Sequence, residues 1–233
     1  MKKVGFIGTY DKTDLILNIA KILTTMKKKV IVVDLTLTQK AKYVVPVINP
    51  TITYITNFED IDVAVGFKSE TEIKSYLGVT EKEKLPYDIM LIDVDSSTFI
   101  EKFNLTATDV KNYFVTAFDL YSLKRGLEVL STLKTPMQLT KVLFAKEILK
   151  EDDDYLNFLS LGYKVMWNEY RIYFPIENGD WSVLVENQRV AKIKFKKLSA
   201  QYKDGLVYIV GEILSDTSEN KIRRAVKIIE RGV

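Results

Sequence analysis

A glycine, a lysine and a threonine near the start of the chain are spaced as in a loop that binds phosphate. A short apolar run, residues 4–7, leads into Gly8, and Lys12 and Thr13 follow at the start of a helical pattern. In such loops backbone N–H groups hold the anion, a lysine contacts the outer phosphates, and a hydroxyl coordinates Mg²⁺. Lys12 and Thr13 have the types and the spacing for the last two roles.

Two aspartates that follow apolar runs could complete this site. Residues 30–33 lead to Asp34, and residues 89–92 lead to Asp93. Continuous Val and Ile runs are typical of parallel strands covered on both faces, and ligands bind at the carboxyl ends of such strands. We therefore expect Asp34 and Asp93 beside the loop, with Asp93 supporting an Mg²⁺ that Thr13 also binds.

The loop itself is poor in glycine and contains a carboxylate. Thr9 and Asp11 lie where a backbone that wraps phosphate usually needs glycine, and Asp11 would repel a triphosphate at close range. Asp11 could instead cap the helix that begins at Lys12, using N–H groups that a phosphate would need. Two interpretations stay open: a weak nucleotide site, or an empty loop in which Lys12 pairs with one of the three aspartates.

The composition favours a cytoplasmic α/β protein and limits its chemistry. A length of 233 residues suffices for one large domain, and the net charge of +3 is too small to indicate nucleic acid by itself. The sequence contains no Cys and no His, so thiolate metal sites and histidine general bases are excluded. No apolar run approaches the ~20 residues of a membrane span, and no signal peptide is recognised.

Strand-length apolar runs alternate with helical periodicity, which predicts βαβ units. The expected fold is a single α/β domain over residues 1–233, with a mostly parallel central sheet flanked by helices on both faces. Between residues 40 and 85 the pattern is weaker, and we expect short strands at 44–47 and 51–55. The predicted helices of the C-terminal third cover residues 190–198, 199–214 and 218–231.

These segments resemble, in order and spacing, the deviant Walker P-loop ATPases of the ParA/MinD family. Residues 8–13 lie where that family has its Lys-Gly-Gly-x-Gly-Lys-Thr loop, and residues 87–93 are similar to its Walker B strand. Residues 174–176 resemble the loop that borders the adenine pocket. The resemblance implies ATP or ADP with Mg²⁺ as the cofactor, with Thr13 and Asp93 on the metal. The nucleotide-site residues that it implies are Gly8, Thr9, Asp11, Lys12, Thr13, Asp34, Asp93 and Pro175.

Several family positions carry a different residue here, so the Walker A loop is degenerate. The family's signature lysine falls on Ile7, and its switch I aspartate falls on Thr36. The resemblance then implies a divergent scaffold or regulator in spatial organisation, with ATP hydrolysis impaired or absent. Its role would be DNA partitioning, or the positioning of a secretion, pilus or division apparatus. A protein partner, a homodimer, or a heterodimer with a related ATPase would follow. An active Mg-ATP switch is the alternative.

The C-terminal segment, residues 218–233, has the pattern of a basic amphipathic helix. Such helices bind membrane surfaces, and basic surfaces of this kind also bind DNA. A second alternative is therefore a nucleotide-independent membrane or DNA adaptor, peripheral to the membrane in the first case. The bland interpretation is a helix docked on the domain with its charges in solvent. Its apolar face contains Ile222, Ala225, Val226, Ile229 and Val233.

Overall fold

One sheet organises the computed structural model, which describes residues 1–48, 50–146, 150–175 and 178–232. Within them the strands are β1 Lys2–Ile7, β2 Val30–Asp34, β3 Tyr54–Phe58, β4 Ile61–Val65, β5 Ile89–Val94, β6 Lys111–Ala117, β7 Met137–Ala145 and β8 Val165–Pro175. Their order across the sheet is β3-β4-β2-β5-β1-β6-β7-β8. Every neighbouring pair is parallel except β3 with β4, as expected for strands joined by crossover helices.

Helices cover both faces of the sheet, which confirms the predicted fold class. They are α1 Thr13–Thr25, α2 Ala41–Val44, α3 Glu70–Tyr76, α4 Ser97–Lys102, α5 Leu120–Ser131, α6 Lys150–Leu159, α7 Asn178–Val190, α8 Ala200–Ile213 and α9 Glu219–Arg231. Alternate residues of a strand point to opposite faces, so Phe6 enters a core with α1 and α7–α9. Ile7 enters a second core with α3–α6.

The predicted strand at residues 44–47 is wrong, because α2 ends at Val44 and β3 begins only at Tyr54. The hairpin of β3 and β4 was missed for a local reason. Glu59 and Asp60 form its two-residue turn with φ of 55° and 67°. Asn and Gly usually fill such a turn, so these two residues give no hairpin signal in the sequence.

The predicted helix at residues 190–198 is also wrong. Helix α7 ends at Val190, and Ala191 adopts a left-handed φ of 49°, which terminates the helical path. The connection to α8 buries Ile193, Phe195 and Leu198. Their spacing imitates a helical stripe, although the residues reach the core from an irregular segment.

The topology brings three strand ends together at the carboxyl edge of the sheet. In the parallel register Asp34 of β2 lies beside Asp93 of β5, and Phe6 of β1 lies on the other side of Asp93. The chain leaves β1 through Gly8 and reaches α1 at Thr13. The predicted loop and both predicted aspartates therefore meet at one place.

Candidate functional site

An open cleft of about 470 Å³ lies at this edge, within the range typical of small-molecule sites. Six of the predicted residues line it: Gly8, Thr9, Asp11, Lys12, Thr13 and Asp93. Asp34 lies buried behind the cleft, and Pro175 lies in a neighbouring one. The cleft is also lined by five residues that were not among the predicted site residues: Lys40, Tyr43, Asp95, Tyr121 and Arg125.

Gly8 is required by the packing of the sheet, whatever the loop binds. Its φ is 135°, and a Cβ at this position would lie 2.3 Å from the carbonyl oxygen of Val115 on β6. The Gly8 N–H donates to the carbonyl of Val94 at 3.0 Å, which continues the β1–β5 pairing. The glycine that the loop retains thus has a structural explanation that needs no phosphate.

Lys12 is buried, and its ammonium group contacts protein oxygens. Its Nζ lies 2.6 Å from Oδ1 of Asp93 and donates to the carbonyl of Gly8 at 2.7 Å. Burial raises the pKa of Asp93 to about 7, although the charge of Lys12 opposes this rise. For an empty loop we expect Lys12 to pair with Asp11, Asp34 or Asp93, and the structure shows its pair with Asp93.

Asp11 supports the loop from within. Its Oδ1 accepts the backbone N–H of Thr13 at 3.2 Å, and its Oδ2 accepts the ammonium group of Lys40. The first of these bonds is the expected one, in which Asp11 accepts an N–H group at the N-terminus of α1. The helix itself begins at Thr13, one residue later than predicted. Lys40 also lies 3.5 Å from Asp14 of α1, so it ties the segment after β2 to the loop.

Asp34 organises its own connection. Its Oδ1 accepts the N–H of Thr36 at 3.0 Å and the Thr36 hydroxyl at 2.6 Å, while its Oδ2 accepts the N–H of Ala41 at 3.0 Å. Asp95 similarly accepts the N–H of Leu37 at 2.9 Å, and burial raises the pKa of Asp95. Both carboxylates hold the segment between β2 and α2 in place.

The neighbouring cleft, which Pro175 borders, is nearly filled by the protein. It measures about 50 Å³, against the ~300 Å³ or more of ordinary ligand pockets. Tyr10 of the loop stacks on Phe144 at a centroid distance of 4.9 Å, and Phe144 stacks on Phe174 at 5.1 Å. Burial, with a smaller effect of Asp11, raises the pKa of Tyr10 to about 12. Ile176, the last residue of the segment likened to the adenine loop, lies outside the described residues.

The side chains in this arrangement fit Mg²⁺ poorly. Thr13 is buried, and the carboxylate of Asp93 is occupied by the ammonium group of Lys12. The described parts of the chain contain no group of three or more carboxylates that could hold a metal ion. A metal at Thr13 and Asp93 would first have to displace Lys12, so that assignment stays a prediction.

The apolar face of α9 is part of the core. Ile222, Ala225, Val226 and Ile229 are buried, and α9 packs against α1 and α8. Helix α9 is thus docked on the domain, and lipid could reach its apolar face only if α9 moved away from α1 and α8. Val233 lies outside the described residues. None of the helices in the described ranges is long and apolar enough to cross a membrane.

Comparison with known proteins finds similarity in structure only. No family model matches the sequence, and no curated protein matches it either. The ParA family ATPase of Chlorobium tepidum TLS has a TM-score of 0.58 and 13% identity, over 90% of this chain and 97% of that one. MinD in the MinC:MinD complex of Aquifex aeolicus has a TM-score of 0.57 and 12% identity, over 93% of this chain and 96% of that one. A single-substitution variant of Cyanothece McdA in complex with ATP has a TM-score of 0.58 and 11% identity, over 94% of this chain and 98% of that one.

These structures define the architecture of this chain. The eight-stranded sheet with its helices on both faces is the ParA/MinD-type P-loop ATPase fold. At 11–13% identity the similarity shows the fold alone. What the cleft does must therefore be argued from its own residues.

Proposed function

We propose that this chain is a divergent ParA/MinD-like scaffold or regulator in spatial organisation, with ATP hydrolysis impaired or absent. One observation carries the proposal: the charged groups of the phosphate loop are satisfied within the protein. Lys12 pairs with Asp93, and Asp11 binds the N–H of Thr13 and the ammonium group of Lys40. The groups that would recognise a triphosphate are thus already in use.

Opening this loop to a nucleotide is expensive. Moving Lys12 away from Asp93 would leave a buried carboxylate without its cation, a change that typically costs about 3–5 kcal/mol. Asp11 would then face the phosphates with a like charge at short range. A nucleotide would have to offset both terms before it gained any net affinity.

The positions that resemble the family's catalytic elements support the same conclusion. Ile7, at the position of the signature lysine, is buried in the core beneath the sheet. Thr36, at the position of the switch aspartate, donates its hydroxyl to Asp34. Neither side chain can supply the charge that the family position would provide.

The rim of the cleft supports a protein partner. Leu37, Tyr43 and Tyr121 line the mouth and are 74%, 79% and 73% exposed. Exposed aromatic and aliphatic side chains around a polar cleft are the composition of a protein-binding patch. MinD is seen with its partner MinC in the Aquifex complex, which favours a protein partner for this chain as well. Its role would then be to present or position that partner in DNA partitioning or in the assembly of a cellular apparatus.

Phosphate release from ATP in the presence of Mg²⁺ tests this proposal. We expect the wild-type chain and the Lys12→Ala variant to release phosphate at the same background rate. An exposed-lysine variant, Lys28→Ala, controls for nonspecific effects of charge removal. Mg²⁺-dependent turnover that Lys28→Ala preserves and Lys12→Ala abolishes, in a Lys12→Ala variant shown by thermal melting to be folded, would instead favour the alternative of an active ATPase switch.

One observation supports this alternative: a variant of Cyanothece McdA, which has a similar fold, binds ATP. For this chain to do likewise, Lys12 would have to exchange Asp93 for phosphate. Thr13 and Asp93 would then be the residues available to Mg²⁺, as the family resemblance implies. ATP-dependent dimerisation would accompany such binding and can be followed by light scattering.

A further inference from the structure

Strand β8 forms one edge of the sheet and is unusually long for an edge strand. It has 11 residues, or roughly 36 Å at about 3.3 Å per residue, and β7 pairs with one side of it only. The side chains of Glu169, Tyr170 and Arg171 in its middle are exposed. An edge of this kind presents N–H and C=O groups that can pair with another strand.

The register of β8 with β7 shifts in the middle of β8. Trp167 pairs with Leu139 and Arg171 pairs with Lys141, so residues 168–170 have no matched partners on β7. Like those of any edge strand, the outward-facing N–H and C=O groups of β8 need a partner, which is water or another chain.

We propose that β8 pairs in antiparallel orientation with β8 of a second copy of this chain, so that the two sheets join at this edge. The order of charges in the strand carries the proposal. When the pairing is centred on Tyr170, Glu169 lies opposite Arg171 of the second copy, and Arg171 lies opposite its Glu169. Opposite charges on directly facing residues stabilise an antiparallel pair, and the two-fold symmetry provides this contact twice.

The same two residues disfavour the neighbouring registers. A pairing centred on Glu169 places two carboxylates face to face, and a pairing centred on Arg171 places two guanidinium groups face to face. Like charges directly opposite each other destabilise a strand pair. The strand thus specifies the register centred on Tyr170 against its closest competitors.

The side chains of Glu169 and Arg171 are both accessible for this contact. Arg171 contacts the buried carboxylate of Asp153 on α6, and Asp153 also accepts the ammonium group of Lys141 at 2.8 Å. This network orients the guanidinium group of Arg171. The Arg171 side chain as a whole remains 42% exposed. Within the described ranges Glu169 makes no ion pair or hydrogen bond of its own.

Aromatic side chains flank the proposed seam on the α8 side. Tyr170 is 69% exposed and shares a cleft with Tyr208 of α8, which is 41% exposed. In the register centred on Tyr170, this side chain faces its own copy across the two-fold axis. Tyrosine is enriched in protein interfaces because its ring buries a large area while its hydroxyl can stay hydrated.

Sedimentation equilibrium in the absence of nucleotide tests the proposal. We expect the wild-type chain to dimerise reversibly, with a dissociation constant that rises with salt. Glu169→Arg and Arg171→Glu should each raise that constant at least about tenfold, because each variant opposes like charges in both contacts. An equimolar mixture of the two variants should form a heterodimer, and the double variant Glu169→Arg/Arg171→Glu should recover the homodimer.

Thermal melting identifies variants that fail to fold, and Lys84→Glu, at an exposed position away from β8, is the matched control. Arg171→Glu also loses its contact with Asp153, so Glu169→Arg and the salt dependence decide the question if Arg171→Glu unfolds. A monomer at all concentrations, or a dimer indifferent to both reversals, would overturn the proposal. Because no nucleotide is present, neither result bears on whether the phosphate loop is empty.

Discussion

Lys12 and Asp93 form a buried ion pair, with Nζ 2.6 Å from Oδ1, between the residue that precedes α1 and the end of β5. The fold brings these two elements together wherever a phosphate loop stands beside a parallel strand. In this chain the lysine neutralises a carboxylate of its own protein. The ammonium group that could bind an anion is thus held in an ion pair within the protein.

Removing the cation of this pair should destabilise the fold. We expect Lys12→Met to lower the free energy of unfolding by about 3–5 kcal/mol at pH 8, because Asp93 then stays buried without its partner. Urea denaturation measures the change, and Lys28→Met at an exposed site should have little effect. The loss should shrink at pH 5, where protonation of Asp93 removes its charge. Equal losses at both pH values would contradict the assignment of the effect to the Asp93 carboxylate.

The raised pKa of Asp93 predicts a pH dependence of stability. Its pKa is about 7 in the folded chain, against ~3.9 for an unfolded aspartate, so the folded state binds the extra proton. The Asp93 contribution is therefore complete below about pH 4 and is lost as the pH rises to about 7, by up to ~1.4 kcal/mol per pH unit. Chemical denaturation from pH 4 to 8 should show this slope in the wild type. Asp93→Asn should show a smaller slope, because only the Asp93 contribution is removed, and an identical slope in both proteins would refute the prediction.

Gly8 should be essential for folding rather than for nucleotide binding. Gly8→Ala places a Cβ 2.3 Å from the carbonyl oxygen of Val115 at a φ of 135°, so we expect a loss of about 2–4 kcal/mol. Gly179→Ala is the control, because it lies in α7 with open space around it and should be neutral or slightly stabilising. Both are measured by thermal or urea denaturation without ligand. Equal stability of the two variants would show that the loop backbone can shift to admit a side chain.

The sequence predicted the parts of the site that depend on buried strands. Continuous apolar runs identified β1, β2 and β5, and the parallel arrangement then brought Asp34 and Asp93 beside the loop, as found. Lys40 could not be predicted, because its contact with Asp11 joins residues 29 positions apart through the path of an irregular segment. Tyr10 was missed for a similar reason, since its stacking on Phe144 depends on the order of distant strands. Tertiary contacts of this kind leave no periodic signal in the chain.

Two isoleucines of α9, one buried and one exposed, separate docking from membrane insertion. Ile222 is 1% exposed against α8 and α1, whereas Ile228 is 43% exposed. We expect Ile222→Ala to lower the free energy of unfolding by about 2–4 kcal/mol, and Ile228→Ala to change it by less than about 0.5 kcal/mol. Urea denaturation provides both values.

Vesicle sedimentation with the same pair of variants tests the adaptor alternative. For a docked α9, binding to anionic vesicles should be no weaker in Ile222→Ala than in the wild type, once both are confirmed to be folded. If the chain binds such vesicles and Ile222→Ala abolishes that binding without loss of stability, α9 leaves the domain to enter lipid. That outcome would favour the membrane adaptor over the docked scaffold.

Calorimetric titration of the wild-type chain with ATP and ADP, with and without Mg²⁺, tests the central claim most directly. The internally satisfied loop predicts no saturable heat up to about 1 mM nucleotide. Asp11→Gly should gain measurable affinity, because it removes the opposing carboxylate and releases the N–H of Thr13. Saturable micromolar binding by the wild type that depends on Mg²⁺ and is weakened by Lys12→Ala would contradict the account. It would make this chain a nucleotide switch.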